Sequence, residues 1–185
     1  MSLDFDPCIV ILCGLPFAGK TTLAQELSRI SNFVHLDSDI YRLSIVGSSQ
    51  PLPEPQEARV MLQSYQMMHT ESYQWIKAGN PVVLAATYWR PAYKPLLVDF
   101  LQGITVPYRV FELQVDDVEV RKRVEERDWQ DNPSEIKTFE QYLEIKRKFD
   151  PITLVDKIYI NTATSLTNTV VEVLSHLRDL QRDRQ

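Results

Sequence analysis

The sequence predicts an α/β fold of three layers, in which helices cover both faces of a five-stranded parallel sheet. Short apolar runs rich in β-branched residues alternate five times with segments of helical periodicity. The strand candidates are almost continuously apolar, which is typical of parallel strands that are buried on both faces. The connections are too short for a domain linker, so we expect residues 1–185 to form a single domain.

In the N-terminal half, three strands and two helices are expected. The strand candidates are 9–12, 33–36 and 81–86, and the helical patterns cover 21–31 and 56–78. One glycine and three prolines within residues 47–57 indicate a loop.

In the C-terminal half, two more strands are expected, at 108–113 and 158–160, together with helices over 92–101 and 166–180. Two pairs predict further helix starts between these strands, Asp116 with Glu119 and Thr138 with Gln141. The break at residues 131–134 separates the two helices, and we expect the region of about 117–150 to form a mobile lid.

Composition and charge exclude several classes of protein. The 185 residues are 44% hydrophobic and 24% charged, as in an ordinary globular domain and unlike a disordered or collagen-like chain. The net charge of −5 disfavours strong non-specific binding of nucleic acid. No apolar run approaches the ~20 residues of a membrane span, and the first residues lack a basic leader. We therefore expect a cytoplasmic protein without a membrane partner.

The strongest motif lies between the first strand and the helix that follows it. Gly14-Leu15-Pro16-Phe17-Ala18-Gly19-Lys20-Thr21 matches the pattern G-x-x-x-x-G-K-[S/T] at every fixed position. A chance turn could hold glycines too, but all four fixed residues between a strand and a helix favour a loop that binds a nucleoside triphosphate. The candidate ligands of the nucleotide are Gly14, Leu15, Pro16, Phe17, Ala18, Gly19, Lys20, Thr21 and Thr22.

Each fixed residue of this loop has a chemical role in binding a nucleoside triphosphate. Gly14 and Gly19 permit backbone conformations that a Cβ would obstruct, so the loop amides can surround an anion at the helix N-terminus. Lys20 is expected to reach the β- and γ-phosphates, and the hydroxyl of Thr21 is expected to bind Mg²⁺.

Two carboxylates follow the second strand, at the sheet edge where the loop also lies. Of Asp37 and Asp39, one is expected to accept a proton from a substrate hydroxyl and the other to orient a Mg²⁺-bound water. Arg42 lies one turn beyond Asp39 and is a candidate for holding the transferred phosphoryl group. The structural alternative is that these aspartates simply cap a helix.

A basic cluster marks the expected lid. Arg123 and Arg127 are four positions apart and share a helix face. Phosphoryl transfer needs cations near the developing negative charge, and these arginines are candidates for that role. The alternative is an ordinary charged helix, because acidic residues alternate with the basic ones.

These three clusters resemble the small P-loop kinases of the nucleoside-monophosphate-kinase-like superfamily, over almost the whole chain. The branch that the chain resembles contains phage polynucleotide kinase, gluconate kinase, chloramphenicol phosphotransferase and zeta toxins. GTPases are disfavoured because no Asn-Lys-x-Asp motif is present. The resemblance implies a P-loop NTPase fold with a helical lid, and ATP and Mg²⁺ as cofactors.

The resemblance also implies roles for single residues. Asp39-Ile40-Tyr41-Arg42 is similar to the polynucleotide kinase segment that holds a catalytic aspartate and a phosphate-binding arginine. Asp39 would then be the general base and Arg42 the phosphate clamp, whereas chloramphenicol phosphotransferase makes Asp37 the alternative base. Arg123 and Arg127 resemble lid arginines that contact the phosphates of ATP.

The sequence departs from the family at the end of the third strand. Many members carry an aspartate there, and this chain has Ala85-Ala86-Thr87. Either Asp37 replaces that carboxylate near Mg²⁺, or the protein is a slow or altered enzyme. Thr87 and Arg90 are candidates for the acceptor side, and Tyr88 and Trp89 either stack on a planar acceptor or cover the sheet.

The sequence thus predicts a kinase that transfers phosphate from ATP to a hydroxyl of a small molecule. One alternative is a polynucleotide 5′-hydroxyl kinase, which the acidic charge disfavours. A second is a nucleotide-binding switch protein with little or no transferase activity, which the missing strand-three aspartate favours. No pattern specifies the acceptor or an oligomeric state.

Overall fold

Five parallel strands form one sheet, in the order β2-β3-β1-β4-β5. The computed structural model describes residues 3–130 and 132–182. The strands are β1 (Ile9–Cys13), β2 (Val34–Asp37), β3 (Val82–Ala85), β4 (Tyr108–Gln114) and β5 (Ile158–Asn161). The predicted parallel sheet is confirmed, and its strands lie within two residues of the expected positions.

Seven α-helices connect and cover these strands. They are α1 (Lys20–Ile30), α2 (Ser38–Val46), α3 (Gln56–Lys77), α4 (Lys94–Gly103), α5 (Asp117–Glu126), α6 (Phe139–Lys148) and α7 (Leu166–Arg182). No helix of residues 3–130 and 132–182 combines the length and apolar character that crossing a membrane requires.

The alternation of side chains along β1 explains the three layers. Val10 and Leu12 point to one face and pack with apolar residues of α1 and α7. Ile9 and Ile11 point to the other face and pack with residues of α3 and α4. Because both faces are buried, the strand is apolar at every position, as the sequence pattern predicts.

Helix α2 was not among the helices expected from periodicity. It begins directly after β2, where the side chain of Asp37 accepts a hydrogen bond from the amide of Asp39, and it ends at Gly47 in the left-handed conformation. Asp37 therefore fits both interpretations of the aspartates, as a helix cap and as a carboxylate at the functional edge of the sheet, where the phosphate loop begins.

Helices α5 and α6 start where the capping pairs predict. The Asp116 side chain accepts from the amide of Glu119 at 2.8 Å, and Thr138 and Gln141 form both hydrogen bonds of a capping box. The break expected between these helices includes Asp131, which lies outside the described residues. A separate small core joins this region to the phosphate loop, through Phe17, Val120, Phe139 and Tyr142.

The register of the sheet brings three strand ends into line. Ala85 of β3 is paired with Leu12 of β1 on one side and with Asp37 of β2 on the other. Since all strands are parallel, the phosphate loop after β1 and the residues after β2, β3 and β5 meet at the same edge.

Candidate active site

A cleft of about 480 Å³ lies at the carboxyl edge of the sheet. Its walls come from the phosphate loop, the start of α2, helix α3, the end of β3, the α5–α6 region and the segment after β5. A cleft of this size at the carboxyl ends of parallel strands is the usual place for a small-molecule site in an open α/β sheet.

The phosphate loop has the backbone conformation that its glycines predict. Gly14 has φ +123°, and a Cβ there would lie 2.5 Å from the carbonyl oxygen of Leu113. Gly19 has φ +90° and directly precedes α1, whose first turn contains no acidic residue. The helix N-terminus and its unpaired amides therefore face the cleft without a competing carboxylate from their own turn.

Lys20 is the cation inside this loop. Its Nζ donates to the carbonyl oxygens of Gly14 and Leu15, at 3.0 and 2.9 Å. Burial lowers the pKa of Lys20, and the charges of Asp39 and Asp37 oppose that shift. The lysine thus lies between the loop backbone and the two carboxylates that sequence reasoning singled out.

Asp37 bridges the phosphate loop and α2. Its Oδ2 accepts from the hydroxyl of Thr21 at 2.7 Å, and its Oδ1 accepts from the amide of Asp39 at 3.0 Å. Burial acts to raise the pKa of Asp37, but hydrogen bonds, including that from Thr21, hold it below its ordinary value. Asp37 therefore stays ionised next to the hydroxyl that is expected to bind the metal.

The small side chain of Ala85 explains how Asp37 reaches Thr21. Strand β3 lies between β2 and β1, and Ala85 is the β3 residue in register with Asp37. Ala85 lines the cleft, so it leaves the space beside the phosphate loop open to a neighbour. Asp37 of the second strand is thus the carboxylate beside Thr21, at the register position of Ala85.

Asp39 lies one residue into α2 and also lines the cleft. Burial and the neighbouring charge of Asp37 raise its pKa to about 6, although Lys20, Arg42 and Arg127 act in the opposite direction. The two carboxylates therefore differ. Asp37 is fixed by hydrogen bonds in its ionised form, whereas Asp39 can exchange a proton near neutral pH, as a general base must.

Arg42 is not placed as the sequence predicts. Its side chain is 1% exposed, and it does not line the cleft. The guanidinium forms two hydrogen bonds with Glu57, at 2.8 and 2.7 Å, and also binds the carbonyl oxygens of Ser48 and Gln50. Each of its nitrogens is therefore engaged, and the expected phosphate clamp is a buried structural cation in this structure.

Arg123 and Arg127 both line the cleft, but their surroundings differ. Arg123 bonds to Glu119, to the carbonyl oxygen of Phe17 in the phosphate loop, and to Thr162 after β5. It holds the loop to the neighbouring strand end.

Arg127 instead lies over two rings, with Cζ 5.7 Å from the ring centre of Phe17 and 5.3 Å from that of Trp129. Burial lowers the pKa of Arg127, while the charges of Asp39 and Asp37 act to raise it. Of the two arginines, Arg127 is the one whose guanidinium is held by ring contacts, not by hydrogen bonds, among the described residues.

The residues after β3 divide between the core and the cleft. Tyr88 is fully buried, with φ +47°, and its ring stacks on Tyr65. It covers the sheet, as one of the two interpretations predicts. Thr87 and Trp89 line the cleft, as expected for an acceptor side.

Arg90 does not line the cleft, contrary to its expected place on the acceptor side. It pairs with Glu54 and lies over the ring of Trp89, 4.4 Å from the ring centre. Its contribution is to hold Trp89 in position.

Sequence reasoning missed several residues of this site, among them Glu57, Glu135 and Thr162. The hydroxyl of Thr162 donates to the carbonyl oxygen of Ala18 at 2.9 Å, and its place after β5 is a signal that could have identified it. Glu57 and Glu135 surround Arg42 from distant parts of the chain, and no local pattern connects them.

The donor set near Thr21 fits a hard divalent cation. No group of three or more His, Cys, Asp or Glu side chains within residues 3–130 and 132–182 is arranged to enclose a metal ion. Mg²⁺ is usually held by one or two oxygen side chains together with substrate phosphates and waters, and Thr21 beside ionised Asp37 supplies oxygen atoms of that kind.

Comparison with known proteins identifies the family. Residues 9–152 match the model of a family described as an AAA domain. A search of curated protein sequences gives no match.

Solved structures with the same fold include several kinases. A gluconokinase from Sinorhizobium meliloti 1021 has TM-score 0.65 and 16% identity over 96% of this chain and 95% of its own. Shikimate kinase from Bacteroides thetaiotaomicron has TM-score 0.66 and 13% identity over 92% and 98%. A chain of the Pnkp1/Rnl/Hen1 RNA repair complex has TM-score 0.55 and 24% identity over 82% and 50%.

The matched segment contains the phosphate loop, both aspartates and both cleft arginines, and the five-stranded parallel sheet is shared with these kinases. The chain therefore belongs to this AAA domain family, and it shares the fold of these kinases.

Proposed function

We propose that the protein is an ATP- and Mg²⁺-dependent kinase that transfers the γ-phosphate to a hydroxyl group of a small molecule. The observation that carries this proposal is the meeting of three groups in one cleft. These are the phosphate loop with Lys20, the Thr21–Asp37 pair, and the separate carboxylate of Asp39, whose pKa is raised to about 6.

The phosphate loop would hold the triphosphate. In this proposal the backbone N–H groups of Gly14–Thr22, apart from Pro16, which has none, bind the phosphate oxygens. Lys20 moves its ammonium from the loop carbonyls towards the β- and γ-phosphates. Thr21 would bind Mg²⁺, with Asp37 accepting from the hydroxyl or from a metal-bound water. The metal, when bound, supplies positive charge that neutralises the phosphate oxygens.

Asp39 would act as the base. Its carboxylate accepts the proton of the acceptor hydroxyl as that oxygen forms a bond to the γ-phosphorus, and the bond between this phosphorus and the β–γ bridging oxygen breaks to release ADP. Positioning and charge neutralisation supply most of the rate in such transfers. In this proposal Lys20 and Arg127 supply the charge neutralisation.

We assign the α5–α6 region, residues 117–150, as a lid over the cleft. Ser134, Glu135 and Ile136 of this region line the cleft opposite α3, so a shift of the region changes access to the acceptor side. We also propose a cytoplasmic location, since Cys8 and Cys13 are buried in the cores on opposite faces of the sheet, an arrangement that suits a reducing compartment.

The first test is ADP release from Mg-ATP with a panel of hydroxyl compounds, in the wild type and in Lys20→Ala. Lys20→Ala is expected to lower turnover by at least ~10²-fold, since it removes a cation that acts on the developing charge. Lys77→Ala, at the exposed end of α3, is the matched control and should leave turnover unchanged.

Equal turnover in Lys20→Ala and wild type would contradict the site assignment. If Mg-ATP raises the melting temperature of the wild type but no acceptor is phosphorylated, the nucleotide-binding switch becomes the better assignment.

A second candidate is a polynucleotide 5′-hydroxyl kinase. It is favoured by the structural similarity to a chain of an RNA repair complex and by the Asp39–Arg42 segment. It is opposed by the ion pairs that engage Arg42. A 5′-hydroxyl oligonucleotide in the panel separates the two candidates, because binding of a polyanion weakens steeply with salt and binding of a small neutral acceptor does not.

A further inference from the structure

The two halves of the cleft differ in charge. The half towards β4 and β5 holds the cationic side chains of Arg123 and Arg127. The half towards β2 and β3 is lined by Asp37, Asp39 and Glu135, together with polar and apolar residues. Among the described residues that line this second half, which we call the acceptor half, none is Lys, Arg or His.

Two arginines lie close to the acceptor half, and both are neutralised by carboxylates. Arg42 is bonded to Glu57 and lies 3.1 Å from Glu135 Oε2, so one positive charge faces two carboxyl groups. Arg90 is paired with Glu54 and stacked on Trp89. The Arg42 guanidinium cannot bind an acceptor anion without first losing a protein partner, and the charge of Arg90 is already paired with that of Glu54.

The remaining surface of the acceptor half is apolar. Met61 and Tyr65 of α3, Trp89 after β3 and Ile136 of the lid line it. The ring of Trp89 is half-buried, and the Arg90 guanidinium fixes it from the other side. A ring or hydrocarbon face of a ligand would bury apolar area against these residues.

Glu135 gives the acceptor half its polar contact from the lid. Burial and the charge of Glu57 raise the pKa of Glu135 to about 8. Its carboxyl group therefore pairs with a hydroxyl when protonated and gains a favourable charge pair with an ammonium group when ionised. An anionic group in the same place meets Asp39, and the cleft cations that act on Asp39, Lys20 and Arg127, belong to the phosphate loop and to the other half of the cleft.

We infer that the acceptor of this kinase is a hydroxyl compound without negative charge, either neutral or carrying a protonated amine, that presents an apolar or planar face to Trp89, Met61 and Tyr65. This inference rests on the proposed phosphotransferase function and narrows its substrate class. Gluconate and shikimate, which two structural neighbours are named for, are carboxylates, so this chain is assigned a different acceptor chemistry from theirs.

The substrate test uses acceptors matched in skeleton and different in charge. Glucosamine, glucose and gluconate form one set, and methyl shikimate and shikimate form another. In any set that is turned over, kcat/KM for the neutral or amine-bearing member is expected to exceed that of the carboxylate by at least about tenfold, because like charges oppose each other in the cleft. A carboxylate or a 5′-phosphorylated compound as the preferred acceptor overturns the inference.

A second measurement tests the charge of the acceptor half even if no acceptor in the panel is phosphorylated. The Trp75→Phe/Trp129→Phe variant leaves Trp89 as the single tryptophan. With Mg-ADP saturating the phosphate loop, the quenching constants of Trp89 fluorescence are measured for caesium and for iodide. Each constant is divided by that of N-acetyltryptophanamide for the same ion, and the two normalised constants give a caesium-to-iodide ratio. Caesium is expected to quench Trp89 several-fold more efficiently than iodide.

Above pH 8, where Glu135 is ionised, Asp39→Asn and Glu135→Gln should each move this ratio towards that of the reference compound. More efficient quenching by iodide would show an anion-attracting half and overturn the inference. Failure of the proposed function looks different, since it is seen as the absence of Mg-ADP or Mg-ATP binding in the wild type or as no effect of Lys20→Ala on that binding.

Discussion

Asp37 and Asp39 are two positions apart, and their pKa values are shifted in opposite directions. Hydrogen bonds, including those from Thr21 and the Asp39 amide, hold the pKa of Asp37 low, whereas burial and the charge of Asp37 raise the pKa of Asp39 to about 6. Two carboxylates with separated pKa values are typical of sites that need one fixed charge and one exchangeable proton. In the proposed function, the same pair supplies a fixed charge beside Thr21 and a base beside the acceptor.

The pH dependence of the reaction should report Asp39. Since a base must be ionised, kcat/KM is expected to rise with pH through about 6 and to level off above it. In Asp39→Asn, this limb, the rise of kcat/KM near pH 6, should disappear, and kcat should fall by about 10²–10⁴-fold. Asp99→Asn, at an exposed position of α4, is the control and should keep the wild-type profile.

Asp37→Asn provides a contrasting test in the same pH profiles. It removes a charge that raises the pKa of Asp39, so the limb should move to lower pH while the Mg²⁺ concentration for half-maximal activity rises. An unchanged limb in Asp39→Asn would show that another group is the base.

At the scale of elements, α5 and the residue that ends it present two arginines with separate contacts. Arg123 joins the phosphate loop to Thr162 through direct hydrogen bonds, and Arg127 lies on Phe17 and Trp129, near both aspartates. The four-residue spacing predicted a shared helix face, which is wrong because α5 ends at Glu126 and Arg127 follows it in an extended conformation. Both arginines nevertheless line the cleft, one bound to backbone and the other held by rings.

The two arginine variants should therefore differ in kinetics. Arg127→Ala is expected to lower kcat by about 10²-fold, as loss of one charge-stabilising donor does elsewhere. Arg123→Ala should instead raise the KM for ATP and lower the melting temperature, because the phosphate loop loses its link to the β5 end. Lys122→Ala, exposed on the same helix, is the control. Identical kinetic changes in both arginine variants would contradict the division of tasks.

Local patterns predicted most of the elements correctly. The strands are apolar because both faces are covered, and the helices of the lid start at capping pairs within four residues of sequence. Helix α2 was expected only through the alternative that the aspartates cap a helix, because it buries only Ser38 and Arg42 and so lacks a buried apolar stripe.

At the scale of the whole molecule, a buried ion cluster connects three distant segments. Arg42 of α2 bonds to Glu57 of α3, to carbonyl oxygens of the loop between these helices and to Glu135 of the lid region. Sequence similarity assigned Arg42 to phosphate binding because the motif does not show its partners. Those partners approach only in the folded chain, so their effect could not be predicted from spacing.

Glu57→Ala should show how much this cluster contributes to the free energy of unfolding. Removing the carboxylate leaves a buried guanidinium with one acidic neighbour fewer, and the free energy of unfolding is expected to fall by about 3 kcal/mol. Urea unfolding measures this change through the midpoint. Glu144→Ala, at an exposed position of α6, should stay within about 0.5 kcal/mol of the wild type. Equal midpoints for the two variants would show that the cluster contributes little.

The bidentate position of Asp37 also has a thermodynamic consequence. One of its oxygens contacts the helix that begins at the phosphate loop, and the other fixes the first turn of the helix that contains Asp39. We therefore expect occupancy of one proposed substrate site to change the free energy of binding at the other through this single carboxylate. Linkage then requires reciprocity, so that the factor by which nucleotide alters acceptor affinity equals the factor by which acceptor alters nucleotide affinity. Asp37→Asn should bring both factors towards one, and the two substrates would then bind independently.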